Sequence, residues 1–279
     1  MLNVQNPIVI SMRRAETITS ATNPLIKDVR RAIARGSLTD EGWCIAETFH
    51  LLEEALRSDC EVKAVIAAES VHASAEGQVR HLHHLKVAVL PDNIFQSLSG
   101  TQTAQGVMAL VKPPEWRPEQ LFDRCPLLVV LDGVQDPGNA GTISRSAEAF
   151  GATGMVFLKG TVSPWNPKVL RASAGSLFRL PFLHGLEAED ALAHLQQNQV
   201  ELFAGVPSGA QFSSTSVSDV DLRRSCGFVI GSEGKGVGRE LRSAARDISI
   251  PTVGVESLNA AVAAGILLYE ARRQRMAQG

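Results

Sequence analysis

Three short stretches carry side chains that could hold a ligand and act on it. The first runs from Asp136 to Arg145 and contains Pro137, Gly138, Asn139 and Gly141. The second is the glycine-rich segment Gly231 to Gly238, which carries Ser232, Glu233 and Lys235. The third is Ile250-Pro251, followed by Ser257-Leu258-Asn259. Glycines let a backbone come close to a ligand and offer it N–H groups. Each stretch also has a plainer reading. Glycines can serve turns alone, and Asn139 can be a helix cap with Arg145 a surface residue. The spacing excludes common nucleotide loops. A Walker A loop ends in Lys-Ser or Lys-Thr, whereas Val237 and Gly238 follow Gly236. No G-x-G-x-x-G fingerprint is present, which disfavours NAD binding of the usual kind. Glu233 would repel a phosphate, so its loop suits a ligand that is neutral or cationic near that carboxylate.

The elements that must position these loops are legible in outline. Leu127 to Leu131 is a continuous apolar run, the mark of a buried parallel strand. Asp132 to Asn139 reads as its loop, and Ala140 to Phe150 as a helix with Asn139 at its cap. Arg145, six residues on, is expected to project from a face near that of Asn139. Further strands are expected at Met155–Leu158, Leu180–Leu183 and Val200–Ala204, and helices at Pro167–Phe178 and Glu187–Gln197. Ser208 to Ser218 reads as a polar loop. An apolar run then opens into the Gly231 loop, a second strand ends at Pro251, and Ser-Leu-Asn starts a small-residue helix over Ala260 to Arg273. Strands joined by helices give a doubly wound sheet, with ligand loops at the strands' carboxyl ends.

The first part of the chain alternates too. Residues 1–18 look irregular. Helices are expected at Ser20–Arg35, capped by Thr22 or Asn23, and at Ala46–Arg57, Ser70–Leu85 and Asp92–Leu98. Strands are expected at Val62–Ala67, Lys86–Leu90 and Gln105–Val111. Four prolines between Lys112 and Pro126 read as a semi-rigid linker. The division is therefore 1–112, a linker over 113–126, and 127–279.

At 279 residues, 44% apolar and 20% charged, the chain can bury two cores. A net charge of −2 advertises no nucleic acid, but its distribution is uneven. Arg13, Arg14, Lys27, Arg30, Arg31 and Arg35 face only Glu16 and Asp28 in the first 36 residues. Lys159, Lys168, Arg171 and Arg179 form a second basic stretch. Such patches can serve RNA, although a solvated face is the commoner cause. The four cysteines show no zinc spacing and read as reduced thiols. His81, His83 and His84 read as a polar helix end. No basic segment and apolar core open the chain, so no signal peptide is expected. The run Ala260 to Tyr269 is too short to span a bilayer.

Taken in order, the three stretches resemble the motifs of the SpoU family, also called TrmH-like, of RNA ribose 2′-O-methyltransferases. Asn-x-Gly-x-x-x-Arg-x-Ala-x-x-Phe-Gly covers Asn139 to Gly151, and Gly-x-Glu-Gly-x-Gly covers Gly231 to Gly236. Ile-Pro and Ser-Leu-Asn before an alanine-rich helix cover Ile250 to Glu270, and Lys168 to Gly175 is also similar. The resemblance implies an α/β fold whose C-terminal parallel-sheet domain holds a deep trefoil knot, an exception to the rule against knots. It also implies a smaller N-terminal α/β RNA-binding domain resembling a ribosomal protein. S-adenosylmethionine is the expected cofactor, at Gly231, Ile250 and Leu258 with Ser232 and Gly236 beside them. Arg145, Asn139, Glu233, Ser257 and Asn259 match the family's active-site polar residues. Lys27, Arg30, Arg31 and Arg171 are the expected RNA contacts. A homodimer through the catalytic domain, no metal, no membrane and a cytoplasmic setting complete the expectation.

The chemistry so implied is attack of a ribose hydroxyl on a sulfonium methyl, with three centres in line. Arg145 is the family's candidate for activating the hydroxyl, but a guanidinium, with a pKa above about 12, is a poor base in water. It would lower the hydroxyl's pKa, or take its proton with a neighbouring phosphate's help. Glu233 and Asn139 would orient Arg145 and the ribose, and Ser257 and Asn259 would shape the loop or simply cap the helix. Ribosomal RNA is favoured as substrate, with transfer RNA second. The rivals are a catalytically silent RNA-binding protein of the same fold and an enzyme acting on a small nucleotide.

Overall fold

The computed structural model describes residues 15–82, 85–99, 105–207, 214–255 and 257–277. The N-terminal elements are β1 (Ala15–Thr17), α1 (Pro24–Arg35), β2 (Cys44–Glu47), α2 (Phe49–Arg57), β3 (Val62–Ala68), α3 (His72–Val79), β4 (Lys86–Leu90), α4 (Asp92–Leu98) and β5 (Val107–Val111). They build a five-stranded sheet in the order β1-β4-β3-β5-β2. Parallel pairs join β1, β4 and β3, while β5 runs antiparallel to both β3 and β2.

The C-terminal elements are β6 (Leu127–Asp132), α5 (Pro137–Ala149), β7 (Gly154–Leu158), α6 (Pro167–Ser173), β8 (Phe182–Leu186), α7 (Ala188–Gln197), β9 (Glu201–Gly205), β10 (Thr215–Ser216), β11 (Cys226–Gly231), α8 (Arg239–Ala244), β12 (Arg246–Ser249) and α9 (Ala260–Met276). Their seven strands are all parallel, in the order β10-β12-β9-β11-β6-β7-β8. From β6 the chain moves outward through β7 to β8, then returns to the opposite side. The order reverses beside β6 and β11, and such a reversal opens a crevice at the strands' carboxyl ends. The central strands are apolar along their length because both faces are covered.

Several boundaries differ from the sequence expectation. Helix α1 starts at Pro24, because the Asn23 side chain accepts from the Leu25 N–H at 2.9 Å and proline suits the first turn. Ala46 and Glu47 belong to β2, not to the following helix. They pair with β5, and Thr48 caps α2 instead. Three residues of the expected irregular N-terminus form β1. Helix α3 is shorter than Ser70–Leu85, and His81 lies beyond its end. His83 and His84 lie outside the described residues. Helix α6 stops at Ser173 because Ala174 and Gly175 take left-handed conformations. Strand β8 begins at Phe182 rather than Leu180. Thr215 and Ser216, expected in a loop, pair with β12, while residues 208–213 of that loop lie outside the described ones. Helix α8 lacked a sequence signal. The proline-rich segment is not bare linker, since a 3-10 turn over Pro118–Phe122 buries Leu121 against Gly154.

The two sheets share one core and a charged seam. Arg171 on α6 reaches the buried Glu47 of β2 at 2.6 Å. Arg179 reaches the buried Glu54 of α2 at 2.6 Å and holds Glu148 of α5 through two bonds of 2.6 and 3.1 Å. Gly175 fits this seam at φ +90°, where a Cβ would meet that of Glu54 at 2.6 Å. Only glycine meets both demands comfortably. Among the described residues no helix is long and apolar enough to cross a membrane.

Candidate active site

The crevice is a cavity of about 560 Å³ at the carboxyl ends of β9, β11 and β12, closed on one side by the start of α9. Gly231, Ser232, Gly236, Ile250 and Leu258, the expected cofactor residues, all line it. So do Glu233, Ser257 and Asn259. Its apolar walls come from Val206, Ile230, Val237 and Leu267 as well.

The glycine-rich loop folds back on itself. The Gly236 N–H donates to the Ser232 carbonyl at 2.8 Å, and the Lys235 N–H donates to Ser232 Oγ at 3.2 Å. The Gly238 N–H donates to Asp132 at the end of β6, at 2.6 Å. A Cβ on Gly231 would collide with the Gly236–Val237 peptide. Glycine at 231 is thus a condition for closing the loop, beyond any space it leaves a ligand.

Helix α5 corrects the sequence expectation for Asn139. The helix starts three residues earlier, at Pro137, and its cap is Asp136, which accepts from the Asn139 N–H at 2.7 Å. The side chain of Asn139 is therefore free to reach across the site. It donates to Glu233, and it accepts from the Asn259 amide at 3.0 Å. Asn259 is itself the cap of α9, accepting from the Ala261 and Val262 N–H groups at 2.9 and 3.2 Å. These bonds fix one another. Because the Asn259 oxygen faces two helix N–H groups, its NH₂ must point to Asn139. The Asn139 oxygen is then occupied, so its NH₂ must point to Glu233. A carboxylate, which only accepts, completes the chain. Three loops far apart in sequence are locked together by side chains of defined polarity.

Arg145 stands apart from this relay. It is exposed, does not line the cavity, and makes no hydrogen bond or ion pair with another described residue. Asn139 and Arg145 both lie inside α5, so six residues place them about 120° apart around the axis and about 9 Å along it. They were expected on nearby faces, and the helix sets them well apart. The remaining expected residues lie elsewhere. Lys27, Arg30 and Arg31 sit on α1, and Arg31 pairs with Asp40 at 2.6 Å. Arg171 is engaged with Glu47. Among the described residues no group of three or more His, Cys, Asp or Glu could hold a metal ion.

Sequence reasoning missed Val206 and Pro207 after β9, and Ala263 and Leu267 on α9. The strand before Gly205 was legible, and a loop at its carboxyl end was the available signal.

Comparison with known proteins agrees with this geometry. The SpoU rRNA Methylase family model matches residues 126–269, and the MRM3-like substrate binding domain matches residues 23–109. An uncharacterised tRNA/rRNA methyltransferase of Synechocystis is 34% identical over 280 residues, covering 94% of this chain and 95% of that protein. The 23S rRNA (guanosine(2553)-2′-O)-methyltransferase RlmP of Bacillus subtilis is 30% identical, covering 91% of this chain and 98% of its own length. Among solved structures, the AdoMet-bound rRNA methyltransferase of Sinorhizobium meliloti superposes with a TM-score of 0.76 at 28% identity, covering 93% of this chain and 98% of that one. The SpoU methyltransferase AviRb of Streptomyces viridochromogenes, in complex with AdoMet, gives 0.79 at 25% identity, over 91% of this chain and 100% of that one. The chain belongs to the SpoU family of RNA methylases.

Proposed function

We propose that this protein transfers a methyl group from S-adenosylmethionine to the 2′-hydroxyl of a ribose in structured RNA, ribosomal RNA before transfer RNA. The observation that carries the reading is the relay from Asn259 through Asn139 to Glu233, assembled at the mouth of a cavity lined by the family's loops. A silent RNA-binding protein would have no need of a charged relay held in one polarity.

The cavity suits the cofactor. Ile230, Ile250, Leu258 and Leu267 offer apolar faces to a flat adenine, and the folded Gly231–Gly236 backbone offers polar groups to the rest. When bound there, S-adenosylmethionine supplies an electrophilic methyl on a sulfonium. Gly231, Ser232, Gly236, Ile250 and Leu258 hold it in this reading. Glu233 and Asn139 orient the ribose, and Ser257 with Asn259 sets the shape of the loop. Arg145 meets the RNA from outside the cavity. Its unpaired guanidinium lies ready for the ribose and the neighbouring phosphate, where it favours the ionised hydroxyl.

The reading extends to the whole molecule. The segment from β11 through α9 forms the trefoil knot. The basic face of α1, with Lys27, Arg30 and Arg31, captures RNA, while Arg171 serves the seam between the domains 1–112 and 127–279 before it serves RNA. The enzyme is a cytoplasmic homodimer. Val262, Ile266 and Tyr269 support the last point, since they leave an exposed apolar stripe along α9. Leu267 on the same helix is instead buried in its own core. Incubating the protein with labelled cofactor and ribosomal RNA, then identifying 2′-O-methyl nucleosides in the digest, tests the activity. Transfer to bases alone would remove it.

A further inference from the structure

A second cavity, about 570 Å³, lies where the two sheets meet. The 38–42 loop, residues 112–116 and the edge strand β8 enclose it. Among the described residues strand β8 pairs only with β7, so its outer side faces this space. The lining is aromatic. Trp165 and Phe182 are buried with ring centroids 5.1 Å apart, and His184 lies 6.3 and 6.1 Å from them at the exposed rim. Trp116 is half-buried on the linker side. Its indole N–H is shielded from water and has no acceptor among the described residues. A buried donor without a partner is costly, and a ligand carbonyl or ring nitrogen would relieve that cost. Burial pushes the His184 imidazole below its ordinary range, so it is neutral near pH 7 and able both to donate and to accept.

The charges around the cleft narrow the choice of ligand. Lys112 is offset by Glu41 and Glu115, so the lining has no excess of positive charge for a phosphate. A flat, neutral heterocycle with donors and acceptors on its edge fits better. The volume falls within the range of small-ligand sites. Position points the same way. The loop carrying Trp165 is tied to the loop that leads into Asn139. The Gly133 N–H donates to Thr161 Oγ1 at 3.0 Å, and the Val162 N–H donates to the Val134 carbonyl at 2.9 Å. The loop that lines the second cavity is thus bonded to the loop that leads into the first site.

We propose that this cleft receives an unstacked nucleobase of the substrate RNA, stacked against Trp116 and His184 and read by their ring nitrogens. The proposal rests on the reading of the protein as an RNA methyltransferase. It adds a second point of grip, which fixes where along the strand the methylated ribose falls.

The test combines affinity, turnover and crosslinking on the full-length protein with ribosomal RNA transcripts containing 4-thiouridine. Trp116→Ala and His184→Ala should each weaken RNA binding about tenfold, the size expected for loss of one base stack. His184→Phe, which keeps a ring, should recover most of that loss. Turnover at saturating RNA and affinity for S-adenosylmethionine should stay within about twofold of wild type, since neither residue belongs to the first cavity. Irradiation should attach RNA to a peptide containing Trp116 or His184. RNA affinity unchanged in both variants, or crosslinks that avoid both peptides, would overturn the proposal. If Trp116→Ala melts early, the exposed His184 pair of variants decides alone. A wild-type protein that binds and crosslinks RNA but transfers no methyl group would count against the methyltransferase reading and leave the cleft standing.

Discussion

Asn139 and Glu233 are 94 positions apart in sequence and joined side chain to side chain. The bond has a definite direction, because Asn259 occupies the other end of the Asn139 amide. Asn139→Ala should therefore free Glu233 as well as remove one contact. Hydrogen bonds to charged groups are worth about 1.5–3 kcal/mol, so turnover should fall between about tenfold and a hundredfold. Affinity for S-adenosylmethionine should change little. Glu233→Gln can still accept from Asn139, so comparing it with Glu233→Ala separates the carboxylate's charge from its role as acceptor. Equal losses in these two variants assign the effect to the charge.

Gly231 makes a prediction about the cofactor. A ligand that binds only the folded protein raises its melting temperature by mass action. S-adenosylmethionine should do so here, and Gly231→Val should abolish the shift, because its side chain would collide with the Gly236–Val237 peptide. A full shift retained in a folded Gly231→Val protein would move the cofactor site elsewhere.

The seam between the sheets gives a pH dependence. At Glu148, burial works to raise the carboxyl's pKa, but hydrogen bonds from Arg179 and Ser176 and the charge of Arg179 hold it below its ordinary value of 4.5. A carboxyl lowered by folding contributes stability that is present above its unfolded pKa and lost as pH falls through the folded one. Glu148→Gln should therefore melt below wild type at pH 7, and the gap should close below about pH 4.5. A gap that stays constant down to pH 3, a pH well below the ordinary carboxylate range, would remove the ion pair as its cause.

Val262, Ile266 and Tyr269 recur at helical spacing on the exposed side of α9. Apolar surface of this kind marks an interface when it is contiguous. Light scattering at micromolar concentration should give a dimer for wild type and a monomer for Ile266→Glu. A wild-type monomer would leave the stripe without its proposed occupant.

The sequence carried more of the site than of the scaffold. The strand end, the helix start and the glycine turn were legible from local chemistry, whereas Ile250 and Leu258 were singled out by the family resemblance; the structure brings both to one cavity with the glycine loop. Asn139 could be picked out but not correctly placed, because Asp136, three residues upstream, is the cap instead. Strand β2 was lost to a helix reading because Ala46 and Glu47 favour helices locally. Pairing with β5, more than sixty residues away, overrides that preference. The engagement of Arg171 with Glu47 spans 124 positions and leaves no trace in local pattern. Long-range pairing of charges is what a single sequence conceals.

Arg145 is central to the proposed function, in which this guanidinium activates a ribose hydroxyl that is methylated from the cavity. The direct measurement is single-turnover transfer of labelled methyl from S-adenosylmethionine to ribosomal RNA by wild type and Arg145→Ala, with cofactor binding followed in parallel. Wild type should place the label on a ribose 2′-oxygen. Arg145→Ala should lose transfer by about a thousandfold or more, a barrier increase of about 4 kcal/mol, while binding the cofactor as wild type does, since Arg145 lies outside the cavity. Near-normal transfer by Arg145→Ala, or label found on a base, would contradict the account.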